Sequence, residues 1–276
     1  MTATDTRPPT RRTGTQTVAS ITRAEVKKLL GRGGIRVWLI VAAVLATGSG
    51  VLAVLMSGSA ALQDVGGITV ADVASGGPVT AALVLSLAVT HYVPREVGDG
   101  TVMTARCLVP RTKVLFAGRV LAWCTVTAGL AVVTALVPLP LALVLGDVVA
   151  SSPIRFAAVL LTSVGLATLL VCLAHAAATL LQRGALVVAV GMTVLVVLPL
   201  VITLGSFLTS GAIATVLLWL GRVALGSLIL VALQVPTQEA QSWGTWVWSM
   251  FGLLTWLVAT TTLAYLSFRR PGYGDR

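Results

Sequence analysis

Two histidines, three cysteines and nine carboxylates are the side chains of this 276-residue chain with the chemistry to hold a metal, carry electrons or move protons. Their spacing joins few of them. Cys107, Cys124 and Cys172 form no C-x-x-C pair and stand in no histidine cluster. They read as small buried hydrophobes, not as metal ligands or a disulfide. His91 and His175 lie in separate apolar runs. Ligation of a haem between helices is one chemistry they would suit, and a hydrogen bond to a neighbouring helix is the simpler one. No G-x-x-x-x-G-K-[S/T] phosphate loop, G-x-S-x-G, H-E-x-x-H or paired-carboxylate arrangement occurs. The expectation is a non-catalytic chain with no metal site and no cofactor of its own.

One charged interval stands apart. YVPREVGDGTVMTARCLVPRTKV, residues 92–114, holds Arg95, Glu96, Asp99, Arg106, Arg111 and Lys113 between long stretches almost without charge. Asp99 or Thr101 can cap a short helix over TVMTARCLV, and Pro110 ends it. A short helix with both charge signs and an apolar side suits docking into a partner's groove. A solvated loop that only sets membrane orientation is the alternative.

The elements that position this interval are membrane spans. The chain is 57% hydrophobic and 10% charged, with a mean hydropathy of +0.97, whereas soluble domains are about 25% charged. Apolar runs at 37–56, 78–93, 114–137, 156–181, 185–204 and 246–268 are each near the ~20 residues a helix needs to cross a bilayer. The second is short unless it starts earlier. A seventh run, 212–233, carries Gly221 and Arg222 at its centre. An arginine at mid-bilayer costs about 2.5–3.5 kcal/mol. Two short re-entrant helices broken at Gly221–Arg222, within an outer region 205–245, are the expectation. The net charge of +10 suggests no nucleic-acid role, because no soluble domain presents a basic face.

Orientation follows from the cations. With six spans and both termini inside, 17 of the 19 Lys and Arg fall on the cytoplasmic side, all but Arg155 and Arg222. Trp243, Trp246 and Trp248 then sit at the outer interface, and Trp38, Tyr92, Tyr265 and Phe268 at the inner one. Residues 1–17 read as a disordered cytoplasmic tail and 269–276 as a second tail, with one transmembrane domain at 18–268. Before the first span, residues 18–36 (VASITRAEVKKLLGRGGIR) place Val18, Ile21, Val26, Leu29 and Leu30 at near-helical spacing. Arg23, Lys27, Lys28 and Arg32 supply positive charge, as in an amphipathic helix lying on anionic lipid. The glycines of GRGG turn the chain into the membrane. The spans hold no Asp, Glu, Lys or Arg at mid-depth, which disfavours a proton-driven carrier.

The chain resembles the membrane permease subunit of ABC type 2 transporters over roughly residues 21–270. RAEVKKLL, with Glu25 and Lys28, is similar to that family's N-terminal surface helix. REVGDGTVMTARCLVPRTKVLFAGR is similar to its stretch between the second and third spans, through Glu96, Gly100, Thr101, Leu108, Pro110, Arg111, Lys113 and Arg119. One departure is Gly221–Arg222, where the family often has a Leu-Pro-Ser turn. The resemblance implies an all-α fold of six spans in the cell membrane, with short re-entrant helices before the last. It implies that 94–113, including Arg95 and Asp99, is a coupling segment resting on a separate ATP-binding subunit that carries ATP and Mg. It also implies a second permease subunit, identical or homologous, and export of a hydrophobic or amphipathic cargo such as a drug, lipid, glycolipid or peptide. Glu96, Asp99 and Arg111 would carry the polar part of the contact. Charge reversal at Glu96 is then expected to lower transport-coupled ATP hydrolysis without unfolding the chain. The rival readings are an ion-coupled carrier or channel, a haem-binding membrane anchor, and a scaffold that recruits a partner.

Overall fold

The computed structural model describes residues 17–57, 69–109, 111–145, 148–208, 212–233, 243–270 and 273. These residues are helical almost throughout and contain no strand beyond the isolated bridge of Thr69 with Val149. The helices are α1 (Val18–Gly31), α2 (Gly33–Met56), α3 (Val70–Gly98), α4 (Thr101–Leu108), α5 (Thr112–Leu136) and α6 (Leu139–Leu145). After these come α7 (Pro153–Leu181), α8 (Gly184–Met192), a π-helical turn (Thr193–Val197), α9 (Leu198–Leu208), α10 (Ala212–Val223), α11 (Leu225–Leu233) and α12 (Trp243–Arg269). Six helical stretches are long and apolar enough to cross a membrane: Gly33–Met56, Val70–Gly98, Thr112–Val144, Pro153–Leu181, Gly184–Ile202 and Gly244–Arg269. The chain is thus an all-helical protein with multi-pass membrane character.

Local chemistry explains where the elements start. Thr17 and Ser20 close a reciprocal capping box at the start of α1. Thr69 and Asp72 do the same for α3: the Thr69 N–H donates to Asp72 Oδ2 at 2.9 Å, and the Asp72 N–H donates to Thr69 Oγ1 at 3.3 Å. That cap sets the second span eight residues earlier than its apolar run, which begins at Pro78. Pro78 and Pro94 both lie inside α3 without ending it. Ser152 caps α7, with Pro153 in its first turn. The expected turn at GRGG is a single non-helical residue, Arg32, between α1 and α2.

The centre of the bundle is α3 packed along α7, with α2 and α5 against α3 and α12 against α7. Their contact faces are built from small residues. Ala71, Ala74, Ala81 and Ala82 in α3 and Ala167 and Ala178 in α7 are fully buried. In lipid the hydrophobic effect does not hold helices together, so close van der Waals approach must. Gly77 is the tightest such position on α3: a Cβ there would stand 2.6 Å from the Thr134 carbonyl oxygen of α5.

The stretch before the last span holds one clear departure. The expected break at Gly221–Arg222 does not occur there. Both residues lie in the last turn of α10, and the chain bends at Ala224. Arg222 stays exposed with its guanidinium 5.1 Å from the Trp219 ring centre, so it needs no helix break to leave an apolar face. The Trp256 indole N–H donates to the Val223 carbonyl at 3.1 Å, which satisfies an end group of α10 from α12.

Gly77→Leu should destabilise the protein by about 1–3 kcal/mol, because the obstructing atom is backbone. Gly129→Ala, where an added Cβ meets nothing within 4 Å, should not. Thermal melts of both variants in one detergent check this; equal melts would remove the close α3–α5 approach from the account.

Candidate functional site: a buried carboxylate among three cations

The ends of α3, α7 and α12 and the starts of α2, α5 and α8 gather at one end of the bundle. Glu96, on the last turns of α3, sits inside this gathering with 1% of its side chain exposed. Three cations close on it. Lys28 and Arg32 reach Oε1 from α1 and the residue after it, Arg32 at 3.7 Å, and Arg119 of α5 pairs with Oε2. The Tyr92 hydroxyl, one turn back on α3, donates to Oε1 at 2.8 Å. Arg32 also lies over the Tyr92 ring, 5.0 Å from its centre. Glu25 takes a second bond from Lys28 at 3.3 Å.

This geometry follows from helical spacing on each element. Tyr92 and Glu96, four apart, share a face of α3, and Glu25, Lys28 and Arg32 share a face of the α1 segment. Gly118 lets α1 come close to α5: a Cβ there would lie 2.6 Å from Ile21 Cγ2. The neighbouring Arg119, 7% exposed, then reaches the carboxylate. Three cations face two carboxylates, so the cluster carries an excess positive charge. Burial pulls the Lys28 ammonium below its ordinary value, and the Glu25 carboxylate opposes that shift.

A second, apolar layer lies beside the first. Val102 of α4 packs into a cluster with Ile21, Val97, Leu115, Phe116, Phe268 and Tyr273. Arg106 lies over the Phe268 ring at 5.6 Å, and the Tyr273 hydroxyl donates to the Thr179 carbonyl at 3.3 Å. Tyr273, beyond the last span, therefore lies against the bundle. Val102 and Ala105, on the apolar side of α4 expected to seek a partner's groove, are in place against their own chain, while Leu108 stays exposed. Neither Asp99 nor Thr101 caps α4. Gly100 does so with φ +67°, a left-handed conformation that glycine adopts without strain, and Asp99 ends α3.

The expected site residues thus divide. Glu25, Lys28 and Glu96 come together in the buried cluster. Glu96 has no surface to present, so a direct polar contact between it and a partner does not fit its position. Arg95 and Asp99 pair with each other on the surface at 3.7 Å. Leu108, Arg111 and Lys113 are exposed, Thr101 is half-buried, and Arg23 and Lys27 face outward on α1. Pro110 lies outside the described residues. Gly221 and Arg222 belong to α10, away from this end. Arg32, Tyr92 and Arg119 are members of the cluster that the sequence marked as a surface-helix cation, an interface aromatic and a position of resemblance, but not as partners of Glu96. Their spacing on each helix was visible, but the meeting of α1, α3 and α5 was not.

Two other features bear on function. A cavity of about 340 Å³ lies between α3, α7, α8, the π-helical turn and α12. Its walls include Leu87, Leu170, Val187, Leu195 and Trp256, and a few hydroxyls such as Ser86 and Thr90. The histidines have unlike surroundings: His91 is exposed, and His175 is buried with its ring 6.2 Å from that of Phe116. That contrast gives no support to a haem shared between them. Among the described residues no group of three or more His, Cys, Asp and Glu could hold a metal. No family model matches the chain, and comparison with curated proteins gives no match.

Reversing Glu96 therefore has a different expected outcome from that of a surface coupling residue. Glu96→Lys would set a fourth cation among three, and Glu96→Ala would leave the buried Arg119 uncompensated, at a cost of about 3–5 kcal/mol. Asp99→Asn, at an exposed pair, should leave the melt unchanged. Thermal unfolding of these variants checks the contrast, and an unshifted Glu96→Ala melt would show the carboxylate to be dispensable for the fold.

Proposed function

We propose that this chain is the membrane permease subunit of an ATP-driven ABC type 2 transporter, with no nucleotide site of its own. The observation that carries the reading is the mounting of α1 and α4. Two short helices outside the spans are fixed to the ends of α3 and α5, one through the Glu96 ion pairs and one through the Phe116–Phe268–Tyr273 cluster. Beyond them Asp99, Leu108, Arg111 and Lys113 stay exposed. A partner pressing on that outer face would move α1 and α4, and the buried charges would pass the displacement to the second and third spans.

The partner in this reading is an ATP-binding subunit, which brings ATP and Mg. Its contact with the 94–113 segment must differ between nucleotide-bound and nucleotide-free forms, since only differential affinity shifts a conformational equilibrium. A second permease subunit completes the path. The cation distribution supports a cell-membrane orientation with both termini cytoplasmic and α1 at the lipid surface. At 12 and 9 residues, α10 and α11 are each too short to cross alone, which supports a re-entrant pair before the last span. The nearly uncharged spans and the apolar cavity favour a hydrophobic or amphipathic cargo moved outward.

Affinity purification from native membranes in mild detergent tests the proposal. A stoichiometric partner with a Walker-type phosphate loop is expected. Reversing Asp99 and Arg111 together should release it while leaving the melt of the permease in place. Absence of any ATPase, under conditions that preserve other membrane complexes, overturns the reading.

A further inference from the structure

The third and fourth spans hold a contact that sequence spacing did not suggest. Cys124 of α5 and Cys172 of α7, 48 residues apart, place their Sγ atoms 2.9 Å from each other. Both are free thiols. An S–S bond is about 2.05 Å long, so a shift of under ~1 Å would join them. Neither helix has to change its packing partner, since α5 and α7 already lie side by side. Cys172 is 7% exposed and Cys124 half-buried, so the pair is shielded on one side and open on the other. Cys107, exposed on α4, is at the end of the bundle and is not part of the pair.

We infer that Cys124 and Cys172 form a reversible disulfide site within the membrane-spanning bundle, oxidised by a lipid-soluble quinone. The two S–H bonds break and one S–S bond forms. Two electrons and two protons pass to the quinone, which leaves as the quinol. The position selects the oxidant class, because a pair set within apolar spans meets lipid-soluble molecules more readily than glutathione. The bond ties α5 to α7 five residues along from Arg119, so it restrains the span that carries one of the three cations on Glu96. The inference does not depend on the chain being a permease.

The test uses the full chain in membrane vesicles, reduced first with a phosphine. Vesicles are treated with tetramethylbenzoquinone, whose ring carries no position for thiol addition. The protein is then denatured, capped with N-ethylmaleimide and weighed intact. The expected product carries one maleimide, at Cys107, and digestion yields a linked peptide containing Cys124 and Cys172. Renewed phosphine treatment restores three maleimides. Three maleimides after quinone overturn the inference, as does a link that includes Cys107. Cys107→Ser, far from the pair, should leave no reactive thiol after oxidation; two remaining thiols in that variant would equally overturn it.

Discussion

A carboxylate with 1% exposure cannot stay ionised unless charge is brought to it, and that requirement organises one end of this molecule. Glu96 sits on α3, but its compensation comes from α1, from the residue after α1 and from α5. The three elements must therefore arrive together. Tyr92 adds a neutral donor from within α3 and a ring beneath Arg32, so the carboxylate is held by hydrogen bonding as well as by charge. Replacing such a cluster by apolar groups can be neutral or better for stability. Its presence here is therefore better understood as fixing the register of α1 against two spans than as strengthening the fold.

The rest of the bundle obeys a different rule. Away from the Glu96 end, helices meet through alanine and glycine, and backbone comes close to backbone, as at Gly77 against Thr134. Such faces slide poorly, because each close approach is steric. The region from α8 to α11 is more irregular in its helices. It contains a π-helical turn, the bend at Ala224 and a cavity, and many of its large apolar side chains are exposed. A half built on α3 and α7 thus carries a more irregular half, and the cavity lies where they meet. In the permease reading that division separates the part that receives a push from the part that meets cargo.

Much of the fold was legible in the chain because membrane helices announce themselves by length and hydropathy. All six runs reappear as helices, and the short helix over TVMTARCLV appears as α4. The departures have local causes. The second span begins early because Thr69 and Asp72 cap it ahead of a stretch too rich in Gly and Ser to look apolar. The bend before α11 falls at Ala224 and not at Gly221–Arg222, where Arg222 reaches out of an intact helix and rests on Trp219.

The sequence by itself determined the class of this protein, the number of apolar spans and the location of its densest charge, since each depends on residues close together along one helix. It did not determine which of those charges face water. Glu96 and Asp99 are three residues apart in one charged interval, yet one is buried among cations and the other lies on the surface. Tertiary structure decided that, by bringing α1 and α5 over Glu96 and leaving Asp99 uncovered. The same holds for Cys124 and Cys172, whose meeting needs two helices in register. Contacts between helices depend on side-chain size and charge across gaps of tens of residues, and local spacing carries no record of them.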